Sequence, residues 1–293
     1  MELRFMELMQ KTINKEVEIK GIGIHSGKLS KIRLIPAPEN TGIIFVKNNV
    51  EIPATVYNVK SFAFSTTLEY KGERVQTVEH LLAALYLLGI DNIYVELEGD
   101  ELPILDGSSK IFVEKIKEAG LKKLPAEKTY ALVKKDFSYV DKDKHIIATI
   151  SDYPAFTYEA KYNNFIGNSF YTFSPVEMDI REISDARTYC FLEEVQKLKE
   201  MGLAKGGSLE NAVVIKDNEI LNPEGLRYPD EPVRHKLLDL IGDLYLLGKP
   251  IIGNIKSIKG GHALNANFLK SALKNDVFDF VKASELVEFA KVN

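Results

Sequence analysis

EPVRHKLLDLIGDLYLLG, residues 231–248, reads as a helix that carries polar residues where an ordinary amphipathic helix has no use for them. Pro232 suits a first helical position, where its missing N–H would be unpaired in any case, and Gly248 suits the residue just past the end. Leu237, Leu238, Leu240, Ile241, Leu244, Leu246 and Leu247 make the helix apolar over most of its surface, so it is expected to be buried on more than one side. His235, Asp239 and Asp243 recur every four residues and form one stripe. Burying an imidazole and two carboxylates there is unfavourable unless something pairs with them, and a metal ion would do so. At a rise of ~1.5 Å per residue, His235 and Asp239 sit about one turn apart on one face, close enough for one ion. Asp243 lies roughly 12 Å along from His235 and is rotated ~80° from it, which suits a group acting behind a ligand. Taken alone, the stripe fits a solvated polar face equally well.

The chain has 293 residues, 45% hydrophobic and 27% charged, which is the composition of a globular protein with room for two domains of ordinary size. A net charge of -4 argues against a nucleic-acid partner, which needs a basic footprint. The lone cysteine, Cys190, excludes an internal disulfide and a thiolate zinc cluster, fits a reducing compartment, and reads as a small core residue. Residues 1–20 alternate charged and apolar residues without a continuous apolar core, so no signal peptide is expected. The longest apolar run, Leu81 to Ile90, is about half of a membrane span. A cytoplasmic protein without a transmembrane segment is expected.

Residues 12–60 alternate as short strands of a β meander, with His25 in GIGIHSG read as a turn histidine held by local hydrogen bonds. In TVEHLLAALYLLG, Thr77 looks like an N-cap, an apolar face follows, and Gly89 ends the helix. His80 therefore falls in the first turn of a buried helix, beside Glu79. Neighbouring helical residues diverge by ~100°, so the two can flank one cavity as a ligand and a base. The helix dipole alone would also favour an acid there.

A third helix is expected over about 109–119 after the corner ILDGSS, and KKLPAEK then reads as a linker marking a boundary near residue 125. The second half repeats the plan, with strands from Tyr130 to Phe173 before a histidine-bearing helix, and His145 in DKDKH reads as a solvated turn residue. Phe191, Val195, Leu198 and Met201 form the apolar face of a helix expected to be core. In KGGHALN, two glycines let the backbone near His262 approach a site, where an exposed histidine titrates near neutrality.

The stretches GIGIHSG, QTVEHLLAAL, ELPILDGSS, ARTYCF, GLAKGGSL, NPEGLRYPDEPVRHKLLDLIGDLYLLG and GGHALN together resemble the UDP-3-O-acyl-N-acetylglucosamine deacetylases of lipid A (lipopolysaccharide) biosynthesis. The resemblance implies an α+β fold of two similar domains, 1–125 and 126–293, each layering helices against small β-sheets, with the active site between them. It implies a hydrolase with one catalytic Zn2+ per chain held by His80, His235 and Asp239. Glu79 would be the general base, Thr188 an oxyanion donor, His262 a cation and proton donor, and Asp243 its orienting partner. Lys236, Tyr189 and Phe191 would meet the acylated UDP-sugar substrate, and an insert around 191–214, lined by Leu203 or Val213, would form a passage for the acyl chain. A monomer is expected. Tyr189 stands where the family pattern leads one to expect phenylalanine, and FAFST at 62–66 is expected to add no metal ligand. The ligand set by itself also suits a deacylase of another sugar or a structural metal.

Overall fold

The computed structural model describes residues 7–61, 64–161 and 167–286. The first half runs β1 (Met9–Ile13), β2 (Val17–Ile22), β3 (Leu29–Pro36), β4 (Ile43–Lys47), β5 (Val50–Pro53), β6 (Val59–Ser61), β7 (Thr67–Tyr70), β8 (Glu73–Gln76), α1 (Glu79–Leu88), β9 (Ile93–Glu98), α2 (Lys110–Ala119) and β10 (Leu121–Glu127). The second half runs β11 (Thr129–Val133), β12 (Phe137–Asp141), β13 (Lys144–Thr149), β14 (Pro154–Lys161), β15 (Asn168–Phe173), α3 (Arg181–Ser184), β16 (Tyr189–Phe191), α4 (Leu192–Glu200), β17 (Val213–Lys216), β18 (Glu219–Ile220), α5 (Glu231–Leu244), β19 (Ile251–Ile258), α6 (His262–Lys274) and β20 (Phe278–Lys282). This is an α+β architecture of helices against several small sheets.

Residues 12–60 are not the plain meander that their alternation suggests. The sheet order is β2-β3-β9-β4-β5, with β9 antiparallel to β3 and parallel to β4. Alternation reports which face of a strand is buried, not which strand lies beside it. Ile32 and Leu34 of β3 pair with Leu97 and Val95 of β9 on the buried face, while Lys31 and Arg33 meet Glu98 and Glu96 on the outer one. In the larger sheet, β12-β13-β19-β11-β20, the strand after α5 is again interior: β19 is parallel to β11 and β14 and antiparallel to β13. In each half, then, the strand that follows the histidine-bearing helix enters the middle of a sheet.

Those two helices lie against each other. Leu81, Leu82, Leu85 of α1 and Leu237, Leu238, Ile241 of α5 belong to one continuous hydrophobic core. Burying each such side chain contributes about 1.5–3 kcal/mol relative to exposure. Gly242 makes the close crossing possible, because a Cβ there would stand 2.1 Å from the carbonyl oxygen of Glu79. The helix ends lie close to where they are expected: α5 runs into a 3-10 turn over Tyr245–Leu247, closed by Gly248 in the left-handed conformation (φ 79), and Pro232 is its second residue.

Several expectations need correction. Thr77 does not cap α1: Val78 occupies the N-cap position, Thr77 turns the chain at φ 59, and its hydroxyl donates to Glu101. KKLPAEK is almost wholly strand β10, paired antiparallel with β1; its charges and Pro125 suit a two-stranded edge ribbon as well as a linker. The face of α4 expected to be core is open, for no residue of α4 is buried and Met201 is exposed. Cys190 is half-buried in β16, and His145 is half-buried in β13, opposite Val140 and Ile258. Among the described residues no helix is long and apolar enough to cross a membrane.

Candidate functional site

The first turn of α1, the middle of α5 and the start of α6 meet at one buried point. His80 Nε2 lies 3.6 Å and His235 Nε2 3.3 Å from Asp239 Oδ1, and the two imidazoles are edge-on with centroids 5.0 Å apart. One candidate ligand atom from each of the three side chains falls within 4.8 Å of the others, and all three residues are buried. This is the one such metal-competent group found among the described residues. The donor set fits zinc. Two bonds of about 2.0–2.1 Å at a tetrahedral angle place ligand atoms roughly 3.3 Å apart, close to the separations from Asp239. Asp239 Oδ1 and His80 Nδ1 are buried without a hydrogen-bond partner among the described residues, and for Oδ1 a shared cation would supply what is missing.

The surroundings prepare the ligands. The Ala186 carbonyl can only accept, so His235 Nδ1 donates to it across 3.0 Å and Nε2 keeps its lone pair for the site. Burial drives the His235 pKa down to about 3 against the pull of Asp239, which keeps the ring neutral, as a ligand must be. Burial also opposes charge on Asp239, but the Lys236 ammonium beside it outweighs this and holds the carboxyl well below its usual range. Lys236 Nζ donates to Asp239 Oδ2 at 2.9 Å. The carbonyl of His80 accepts from Ser109 Oγ at 2.7 Å, which ties the start of α1 to the ILDGSS corner.

Glu79 and His262 face each other beside this triplet, with Glu79 Oε1 3.8 Å from His262 Nε2. Glu79 Oε2 accepts from the Thr66 N–H at 3.0 Å, and burial raises its pKa against the lowering influence of His262 and His80. His262 is buried, not exposed as expected. Burial works against its charge, but Asp243 and Glu79 prevail and raise the pKa to about 9. Its Nδ1 bonds Asp243 Oδ2 at 2.8 Å; Asp243 also accepts from Asn265 Nδ2 at 2.8 Å and from Thr66 Oγ1 at 2.6 Å. Asp243 thus stands behind His262, the partner that the family resemblance implied.

Thr188 lies two residues past Ala186, its N–H donating to the Gly107 carbonyl at 2.7 Å. Lys236 Nζ stands 5.9 Å from the centre of the Tyr189 ring, which packs edge-on against Phe191 with centroids 6.1 Å apart. Lys236 also lines a cavity of about 280 Å³ with Tyr158, Lys161, Lys259 and Gly260. Val213 is fully buried in β17, its N–H held by the Thr188 carbonyl. His25 is held through its backbone by Glu101 and Lys205; its buried Nδ1 has no hydrogen-bond partner among the described residues.

Sequence reasoning missed Thr66, Asn265, Ser109 and Gly242. Asn265 follows His262 by three residues on one helix, and that spacing could have found it. FAFST holds no histidine or cysteine; Phe62 and Ala63 lie outside the described residues, while Thr66 enters the site through its hydroxyl. Lys161 and Lys259 carried no local signal.

The family model described as UDP-3-O-acyl N-acetylglycosamine deacetylase matches residues 10–274. Proteins named UDP-3-O-acyl-N-acetylglucosamine deacetylase are similar over most of their length. That of Aquifex aeolicus (strain VF5) is 45% identical over 266 residues, 91% of this chain and 93% of the relative. That of Anaeromyxobacter dehalogenans (strain 2CP-C) is 44% identical over 272 residues, 90% and 87%. That of Campylobacter fetus subsp. fetus (strain 82-40) is 44% identical over 273 residues, 92% and 93%. With the match running through all three helices that build the site, the chain belongs to the UDP-3-O-acyl N-acetylglycosamine deacetylase family.

Proposed function

We propose that this chain removes acetate from UDP-3-O-(3-hydroxyacyl)-N-acetylglucosamine in lipid A biosynthesis, as a cytoplasmic monomer that uses one zinc ion held by His80, His235 and Asp239. The division into 1–125 and 126–293, with the site between the two parts, belongs to the same reading. The observation that carries it is the meeting of an acid–base pair, Glu79 and His262, with a buried two-histidine, one-carboxylate triplet. A zinc ion in such a site supplies water of pKa near ~7 and polarises the amide carbonyl.

The rest of the chemistry falls to the chain's own side chains. Glu79, kept from ionising too readily by burial, takes a proton from the attacking water at a carboxylate oxygen. As water adds to the acetamide carbonyl, the Thr188 hydroxyl donates to the developing oxyanion. When the carbon–nitrogen bond breaks, the departing amine takes a proton from the His262 imidazolium at Nε2, the nitrogen turned toward Glu79, while Asp243 holds Nδ1. Lys236, with Lys161 and Lys259 around the cavity, offers positive charge for a diphosphate. Tyr189, Phe191 and the open face of α4 offer apolar surface to the acyl chain.

The test is acetate release by purified protein loaded with one zinc per chain. Glu79→Gln is expected to retain the zinc and lose ~10²- to 10⁴-fold in kcat. A rate equal to wild type would remove Glu79 as the base, and absence of acetate release from the wild-type protein would overturn the activity.

A further inference from the structure

We propose that the buried Arg187–Glu231 ion pair is the positioning device of the site, fixing the segment that carries Thr188 relative to the metal-ligand face of α5. The inference rests on the oxyanion role proposed for Thr188 and adds to it two residues that touch neither substrate nor metal.

Glu231 opens α5 and is fully buried, one helical turn before His235. Arg187 is 2% exposed, and all four of its nitrogens have partners in one place. Its backbone N–H donates to Glu231 Oε1 at 2.9 Å, Nε to the same oxygen at 2.8 Å, and Nη2 to Glu231 Oε2 at 3.1 Å and to the Gly225 carbonyl at 2.7 Å. Nη1 meets Glu224. One carboxylate therefore fixes both the backbone and the side chain of Arg187. The residues on either side are held as well. Ala186 receives the Nδ1 proton of His235 at 3.0 Å. Thr188 donates its N–H to Gly107 and accepts from Val213, each at 2.7 Å. The corner that receives it has no slack, since a Cβ at Gly107 would stand 2.1 Å from the Asn211 carbonyl oxygen and 3.4 Å from the Thr188 methyl.

Three successive residues thus connect α5, the ion pair and the ILDGSS corner. A lysine at 187 keeps the charge but cannot supply the planar fork that grips both carboxylate oxygens. The expected result is a small displacement of residues 186–188, felt in two places: at the Thr188 hydroxyl, and at the orientation of the His235 ring through Ala186. Misplacement of a catalytic group by ~1 Å lowers a rate by up to ~10²-fold, and disturbed partners of metal ligands weaken metal binding ~10- to 100-fold.

Arg234 provides the contrast. It sits in the same first turns of α5, stacked on Tyr171 at 4.0 Å and Tyr228 at 4.3 Å and paired with Asp230 and Glu182, and it makes no contact with the 186–188 segment among its hydrogen bonds.

The experiment is a double-mutant cycle on the zinc-loaded enzyme, Arg187→Lys with Thr188→Val, and Arg234→Lys with Thr188→Val as control. Arg187→Met/Glu231→Leu, which removes both charges together, serves as a second form of the Arg187 variant, and thermal midpoints establish that each protein is folded. Arg187→Lys is expected to lower kcat about tenfold with KM changed less than about twofold, but to lower it less than about twofold further in the Thr188→Val background. The effects of Arg234→Lys and Thr188→Val are expected to multiply. Independently of turnover, zinc loss to a chelator is expected to be about tenfold faster in Arg187→Lys than in wild type. A tenfold effect of Arg187→Lys that persists in the Thr188→Val background, a kcat unaffected by Arg187→Lys, or unchanged zinc loss overturns the positioning role and leaves that of Thr188 standing. If Thr188→Val itself leaves kcat unchanged, the oxyanion assignment fails and the positioning role falls with it.

Discussion

Gly242→Ala is the substitution that asks most of this fold with the fewest atoms. In an exposed helix the change would stabilise by up to ~1 kcal/mol, because alanine is the better helix former. Here the added methyl would stand 2.1 Å from the Glu79 carbonyl oxygen, 2.9 Å from its carbon and 3.2 Å from the Ala83 nitrogen, where ordinary contact begins at 3.4 Å. All three atoms are backbone, so no rotamer change relieves the clash and the two helices must part by roughly 1 Å, an overpacking that costs typically ~1–3 kcal/mol. Set against the full propensity gain, the net is a loss of up to about 2 kcal/mol, or a thermal midpoint lower by up to roughly 8 °C for a chain of this size. The functional effect is expected to be larger. Parting the helices moves Glu79 and His80 together away from Asp239, and ~1 Å at reacting groups corresponds to about 10²-fold in kcat. Differential scanning calorimetry, zinc content and acetate release on one preparation read all three quantities. A variant with an unchanged or raised midpoint and wild-type turnover would refute the claim that the glycine sets the helix crossing.

Removing zinc with a chelator, or replacing Asp239 with alanine, is expected to abolish activity; readdition should restore only the wild-type protein, and an Asp239→Ala protein that binds one zinc per chain would break the ligand assignment. The pKa of His262 is raised to about 9 from an ordinary 6.5, so the folded state favours its protonated form, and that contribution is complete below about 6.5 and lost as the pH rises through about 9. In metal-free protein, the difference in thermal midpoint between wild type and His262→Gln should therefore shrink across that window, and a constant difference would count against the charged histidine. Thr66→Val removes the hydroxyl that donates to Asp243, a buried bond to a charged group of about 1.5–3 kcal/mol, and should lower both the midpoint and kcat; a wild-type pH–rate profile and midpoint would dismiss Thr66 from the site.

The most informative stretch, residues 231–248, disclosed its burial and its ends, because helical geometry converts spacing directly into direction, but by itself it left the stripe an even choice between a polar face and a metal site. The same geometry turned Asp243 away from His235, while its pairing with His262 came only with the family resemblance. Bringing His80 and His262 to the same point required the family resemblance, since periodicity carries no information about which helix packs on which. Thr66 could not be found locally at all. It immediately precedes the short strand β7, far from α5 in sequence, and only the fold places its hydroxyl on Asp243. The errors share a cause. Thr77 has the residue type of a cap and KKLPAEK the composition of a linker, but a tertiary partner, Glu101 in one case and β1 in the other, overrode the local preference.

The crossing of α1 and α5 also has a consequence in time. His80 becomes available early as the chain is made, while His235 and Asp239 emerge only when most of it has been synthesised. By itself α1 offers only a single imidazole to the triplet. The three side chains first act together when two distant stretches have found each other, a contact of the kind that slows folding. On the proposed reading, metal capture would then be among the last events of maturation, and its completion would mark a chain whose two histidine-bearing helices have met.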